Sequence, residues 1–233
     1  MLFQTEWKIN NNIKIRIPTV DEIVSNEDSY EEAVSLIVST PYDMMVLLDD
    51  NGIDFTKINS WDLFCYLFGH IQKKDMSLVF GDLDLTKLRI AIHREHGHRV
   101  IIDENETVIF DQLIHAHVAK TLRKILFLKE NNKTAGNEDA KDYLLKKARK
   151  KIQRNKRKPK KESSLQKLIV SLVNTSEFPY NYATVRDITI YQFYSSLHQI
   201  SHKIQFDNTM IGYYAGTVKP TDIDPKALNW LNL

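Results

Sequence analysis

The spacing of apolar and polar positions changes several times along the chain. Leu2 to Ile9 and Ile13 to Ile17 are β-like runs on either side of Asn10-Asn11-Asn12. Asparagine tolerates left-handed backbone, so these runs predict a hairpin. Thr19 with Glu22 three residues later has the arrangement of a capping box at a helix start. A second start follows at Ser29-Tyr30-Glu31-Glu32, with Ala33, Leu36, Ile37 and Thr40 on one helical face. Pro41 opens a third segment, Tyr42 to Asp50, which Asn51-Gly52 stops. Asn59-Ser60 caps a helix from Trp61 to His70 that is apolar nearly all round, so its place is central to the core.

Between about 77 and 110 the pattern shortens. Leu78-Val79-Phe80, Leu88 to His93, Arg99 to Ile102 and Thr107 to Phe110 predict strands of a small antiparallel meander. Asp111 caps a helix over 112–130 with Ile114, Val118, Leu122, Ile125 and Leu128 on one face. After a polar break at Asn131 to Asn137 comes a basic helix, Asp139 to Lys158, then a linker from Pro159 to Ser164. Ser164 caps a helix from Leu165 to Val173, and Glu177 to Val185 reads as an irregular loop. The last strong helix runs from Thr189 to Phe206, with Ile190, Phe193, Leu197, Ile200 and Ile204 inward. Asp224-Pro225 starts a short final helix whose Trp230 and Leu231 dock the tail. The expected fold is therefore α+β, mainly α-helical, with an N-terminal hairpin and the meander. Its expected parts are a mixed body (1–130), a basic helix and linker (131–163) and a helical C-terminal region packing on the body (164–233).

Charge changes this picture more than overall composition does. The 233 residues carry a formal net charge of only +2. Between Lys141 and Lys161, however, 12 Lys or Arg accompany one acid, Asp142, while the other 212 residues carry 20 bases and 29 acids. A body of −9 thus bears an insert of +11. Cys65 is the one cysteine, so an internal disulfide is excluded, and its apolar helical setting predicts a buried small side chain rather than a nucleophile. The longest strong apolar run, Met44 to Leu48, falls far short of the roughly 20 residues a membrane helix needs. Met1 to Asn12 lacks the apolar region of a signal peptide. The expectation is a soluble protein of a reducing compartment, with no membrane contact.

Candidate chemistry is thin. His93, His96, His98, His115 and His117 fall within one 25-residue stretch. His96 and His98 would share a strand face, whereas His115 and His117 diverge by about 200° on a helix. Solvated turn histidines and one histidine beside the core account for the pattern; the competing reading is a metal site at His93, His96 and His98. His198 and His202 share a helix face but lack a third ligand. Asp49-Asp50 fits a helix-terminal turn, and Asp82 with Asp84 fits a turn or half-buried strand, better than acid–base or magnesium chemistry. There is no G-x-S-x-G, P-loop or G-x-G-x-x-G. No enzyme activity and no cofactor are expected.

The basic segment and the tyrosines remain. Lys146, Lys147, Arg149, Lys150, Lys151, Arg154, Lys156 and Arg157 cover every side of one helix, and like charges four apart repel. Counter-charge could come from nucleic acid, from a partner's acidic surface, or from this protein's own acidic body. Stacking aromatics are absent after Tyr143, which weakens single-strand binding. Phe178, Tyr180, Tyr182, Tyr191, Tyr194, Tyr213 and Tyr214 form an aromatic cluster suited to a protein interface, with core packing expected to absorb about half.

Ile15-Arg16-Ile17-Pro18-Thr19-Val20-Asp21-Glu22-Ile23, Pro41-Tyr42-Asp43-Met44-Met45 and Leu48-Asp49-Asp50-Asn51-Gly52-Ile53-Asp54-Phe55 carry a family resemblance. So do Thr189-Ile190-Tyr191-Gln192-Phe193, Gly212-Tyr213-Tyr214-Ala215-Gly216-Thr217 and Leu228-Asn229-Trp230-Leu231. Together they resemble tail or baseplate components, or tail-assembly chaperones, encoded in tail-gene clusters of phages and prophages of low-GC Gram-positive bacteria. The resemblance is diffuse and holds no catalytic signature, so it transfers no functional residue. It implies an assembly role among other tail or baseplate proteins, in the host cytoplasm or in the virion tail. The expected contact residues are the eight bases named above with Tyr191, Tyr194, Tyr213 and Tyr214, the basic helix projecting onto a partner's acidic surface. The alternative is a nucleic-acid-binding module using 141–161.

Overall fold

A computed structural model describes residues 1–93, 97–131, 133–157, 163–219, 221 and 223–225. The chain begins with a hairpin, β1 (Glu6–Lys8) and β2 (Lys14–Arg16), in which Trp7 faces Ile15. The Asn10 side chain closes its turn by accepting from the Asn12 and Ile13 amides. Four helices follow: α1 (Val20–Ser25), α2 (Glu27–Val38), α3 (Met45–Asp50) and α4 (Ser60–Ile71). Thr19 and Glu22 form the expected capping box, and Asn59 with Asp62 forms another at α4. Helix α4 buries seven of its 12 residues, as an all-round apolar helix must.

A second, three-stranded antiparallel sheet is built from β3 (Arg89–Ile92), β4 (Arg99–Ile102) and β5 (Val108–Phe110), in that spatial order. The mainly helical α+β class is thus observed. One strand of the expected meander is not: Ser77–Phe80 is a single helical turn, α5. A four-residue apolar run is ambiguous in period, and the Asp75 side chain settles it by accepting from the Ser77 amide. Residues 82–88 form a turn and a short 3₁₀ segment in which Asp84 caps Thr86, so the meander starts at Arg89.

Helix α6 (Gln112–Ile125), capped by Asp111, ends five residues before the expected boundary. Phe127 adopts left-handed backbone there, and Leu128 is exposed rather than inward. Three longer helices follow among the described residues: α7 (Glu138–Lys156), α8 (Ser164–Val173) and α9 (Ile190–Tyr214). Ser163, not Ser164, caps α8. Helix α9 runs eight residues past the expected end at Phe206: it carries Gly212 within its last turn and stops at Gly216, which takes left-handed backbone just beyond the helix. The expected final helix and its Trp230 and Leu231 lie outside the described residues.

One hydrophobic cluster joins these elements. It contains Ile13 and Ile15 from the hairpin, Ile37 from α2, Phe64 from α4, Phe110 from β5 and Leu122 from α6. Leu145, Leu165 and Phe193, from α7, α8 and α9, belong to the same cluster. The starts of α1 and α9 are tied directly. Thr19 and Thr189, each heading a capping box, form an antiparallel bridge, with Val20 N–H donating to Ile188 O (2.9 Å) and Ile190 N–H donating to Pro18 O (2.8 Å). Two stretches that carry the family resemblance meet at this bridge.

Candidate interaction surfaces

The basic helix does not project along its whole length. Its N-terminal half lies on the body beside α3. Leu145 is its one buried residue. Around it, Lys141 Nζ donates to Asp54 Oδ2 at 3.0 Å and pairs with Glu138 at 3.3 Å. Arg149 Nη2 donates to both Asp49 Oδ2 and Asp50 Oδ1 at 2.6 Å. Hydrogen bonds from Thr56 and Lys141 hold the Asp54 carboxyl well below the usual range. The bonds to Asp49 and Asp50 raise Arg149 further. Part of the repulsion within the helix is therefore offset by this protein's own acids, which corrects the expectation of a wholly projecting arm. The preceding segment is tied down too: Asn131 Nδ2 donates to Asp43 Oδ1, and the Ala135 amide to the Tyr42 hydroxyl.

From Lys150 the helix leaves the body. Lys150, Lys151, Arg154, Lys156 and Arg157 are all exposed, as are Lys146 and Lys147 on the outer side of the anchored half. Lys147 sits over the ring of Tyr143, 5.9 Å from its centroid, an exposed cation–π pair.

Helix α9 divides similarly. Its first turns enter the core through Ile190 and Phe193, and Leu197 and Ile200 are half-buried. Ile204, expected to face inward, is exposed, and Ile211, Tyr213 and Tyr214 are exposed beyond it. Periodicity marks this face as apolar, but the body ends before the helix does. Of the four tyrosines expected at an interface, Tyr191 and Tyr194 are half-buried and pack on Phe127, with centroids 5.8 and 6.5 Å away. Tyr213 and Tyr214 stand at the far end, with Tyr214 79% exposed. Phe178 is buried against Phe193 and Tyr180, so core packing absorbs part of the aromatic cluster.

The histidines separate. His93 and His98 stack at 5.3 Å across the sheet turn, and His96 lies outside the described residues. His115 is buried, bonds the Ile37 carbonyl at 3.1 Å and rests 4.5 Å from the Phe64 ring; burial pushes it down to about 4. His117 points outward. His198 stacks on Phe127 at 4.4 Å, with His202 6.4 Å away. Among the described residues no group of three or more His, Cys, Asp or Glu is placed to hold a metal ion. Cys65 is buried, and desolvation pushes its thiol up to about 11, a resting packing residue. Among the described residues no helix is long and apolar enough to cross a membrane.

Sequence reasoning missed the acids that meet α7 and α8. Asp54 lies in a loop and gave no periodic signal. Glu27 sits within α2, yet its carboxylate accepts from the Leu165 amide (3.1 Å) and the Ser163 hydroxyl at the start of α8. Such long-range caps follow from tertiary placement, favoured because a carboxylate answers the exposed amides of a helix start.

A mainly helical body with one basic and one apolar-aromatic projection is thus the class of structure observed. Residues 156–232 match a family model described as the YomV second domain, a phage-associated family. The match begins at the last residue of α7 and runs through α8 and α9. No curated protein and no solved structure matches the chain.

Proposed function

We propose that this is a non-enzymatic phage tail or baseplate structural or assembly protein, acting through contacts with other tail or baseplate proteins. The observation that carries the reading is the pair of projections: a basic one, Lys150 to Arg157, and an apolar-aromatic one ending in Ile211, Tyr213 and Tyr214. Charge depleted of apolar area suits steering onto an acidic partner, while exposed tyrosine and isoleucine suit the dry centre of an interface. The phage-associated match, which spans α9, supports the same direction. Its working place would be the host cytoplasm during assembly or the virion tail.

The test is to replace the gene, in the phage or prophage that carries it, with a variant bearing Glu at Lys150, Lys151, Arg154, Lys156 and Arg157. Purified particles are then counted and analysed by mass spectrometry. Loss of intact tails with a folded variant supports the proposal. Presence of the chain in wild-type particles marks a virion subunit, and absence marks a chaperone. Normal tails from both the variant and a gene deletion would overturn it. The same exposed bases could neutralise phosphates, which keeps a nucleic-acid reading in play. Binding to DNA or RNA at about 50 mM salt that falls steeply as salt rises is what that reading requires.

A further inference from the structure

The two edges of the three-stranded sheet are finished differently. At β5, Ile101 pairs with Phe110 and Ile102 with Val108, so Ile109 is the extra residue of a bulge, which blunts that edge. Strand β3 has neither a bulge nor a proline, and its four residues pair regularly with β4, from Arg89↔Ile102 to Ile92↔Arg99. The ladder continues to His93, whose amide donates to the His98 carbonyl at 2.8 Å. Hydrogen-bonded pairs alternate along an antiparallel ladder. Arg89 and Ala91 therefore turn their N–H and C=O toward β4, as His93 does, while Ile90 and Ile92 turn theirs away from it. Leu88 has the same outward parity, and there the Gln72 side chain covers the carbonyl, Nε2 donating at 2.8 Å. Past Leu88 that cover stops: among the described residues none bonds the amides or carbonyls of Ile90 and Ile92. Their side chains are open too. Ile90 is 43% and Ile92 69% exposed, on the sheet face where Ile101, opposite Ile90, is fully buried. A regular free edge carrying two exposed isoleucines is a template for another strand.

We propose that β3 pairs antiparallel with β3 of a second copy of this chain, about a twofold axis through Ala91, joining two three-stranded sheets into one of six strands. The strand is self-complementary about that residue. Ile90 of each copy comes opposite Ile92 of the other, and the outward N–H and C=O groups of these residues form four backbone hydrogen bonds. Ala91 meets its own copy at the position without hydrogen bonds, where Cα atoms approach to about 4.5 Å and a small side chain fits. The four isoleucines gather on one face beside Ile101 of each copy and cover the apolar area that each chain leaves exposed alone. Arg99, the charged neighbour of Ile92 on that face, is engaged with Asp62 at 3.7 Å. So short a paired edge buries less than the roughly 800 Å² per partner of a standard interface, so the dimer is weak and set by protein concentration. Pairing of this kind does not depend on a tail or baseplate role.

Sedimentation velocity of the full chain over a range of concentrations is the test. The 27.2 kDa monomer should give way to a dimer as concentration rises toward about 0.5 mM. Amide exchange at Ile90 and Ile92 should slow several-fold over the same range. Ile92→Lys changes a side chain that is already exposed, so the fold should hold while the dimer weakens roughly tenfold or more. Cysteines read the register, in a chain whose own Cys65 is buried. On mild oxidation Ala91→Cys should give a disulfide-linked dimer. Ile90→Cys, offset by two residues from its own copy, should link far less, because Cα atoms more than about 7 Å apart are not bridged. A chain that stays monomeric at every concentration overturns the proposal and leaves the edge to a strand from another protein. A dimer that Ile92→Lys leaves as strong as wild type places the contact elsewhere and also overturns it. Equal linking through positions 90 and 91 refutes the twofold register.

Discussion

Helices α7 and α9 are the longest of the described chain, 19 and 25 residues, and each leaves the body in mid-course. They are held by different physics. Helix α9 starts in a capping box bridged to Thr19 and drives Ile190 and Phe193 into the core. Helix α7 buries Leu145 alone and otherwise rests on carboxylates at Asp49, Asp50 and Asp54. Their free ends differ in kind: one is densely positive, the other nearly uncharged and aromatic. An apolar anchor is indifferent to salt and costly to lose, whereas an ionic anchor is screened and cheap to release. The basic arm is therefore the one that a partner, or a change of ionic strength, can lift from the body.

The sharpest way to break this contrast is Phe193→Ala. Phe193 is fully buried, so its truncation leaves a cavity and should cost about 3–5 kcal/mol in urea unfolding. Truncating Tyr214 at the other end of the same helix should stay within about 0.5 kcal/mol. Equal costs at the two positions would show that α9 is not divided into an anchored and a free half. Leu145→Ala is the matching test on α7. At 8% exposure, on a helix with no other buried residue, it should cost about 2 kcal/mol, the low end for such truncations. A cost near that of Phe193 would mean that α7 is held by apolar burial after all.

The elements were legible where a strong local rule applied. Thr19 with Glu22, Asn59 before Trp61 and Asp111 before α6 each set a helix start by a side chain three residues from the amide it serves. Phe193 and Ile190 were identified as inward from their spacing. The extent of burial was not legible, because periodicity reports which face of a helix is apolar and not whether anything covers it. Ile204 and Ile211 continue that face into solvent. The same limit concealed the anchoring of α7. Its charge excess was plain, but the acids that answer it lie 100 and 99 residues away, at Asp49 and Asp50. A hollow at the seam of α2 and α9 was also hidden, since Tyr30 read only as part of a helix start and Tyr194 as an interface tyrosine until the two helices are brought together.

His115 tests the body on which both helices rest. Its imidazole bonds the Ile37 carbonyl, joining α6 to α2, and burial holds it at about 4 against the usual 6.5. A histidine held low binds its proton in the unfolded chain first, so stability is lost as pH falls from 6.5 toward 4. Between pH 7 and 5, above the range where most carboxylates titrate, this group alone should remove about 2 kcal/mol. His198, lowered by burial and by His202, adds in the same direction. Unfolding free energies equal at pH 7 and pH 5 would place His115 in a wetter setting than the fold provides.

The smallest effect belongs to the ionic anchor, and its signature is salt rather than size. Arg149→Ala removes both 2.6 Å contacts to Asp49 and Asp50 but leaves Leu145 and the Lys141–Asp54 pair in place. Arg149 and its two partners are all about half exposed, so global stability should hardly change. Local opening should change instead. Amide exchange in the last three turns of α7 should speed several-fold at low salt, while amides of α9 keep their rates. Raising salt to about 0.5 M should speed the wild-type α7 toward the variant and leave the variant nearly unmoved, because screening removes what the substitution has already removed. If wild type and variant exchange α7 at one rate at every salt concentration, the two aspartates do not hold the helix, and the difference drawn between the two arms reduces to Leu145 against Phe193.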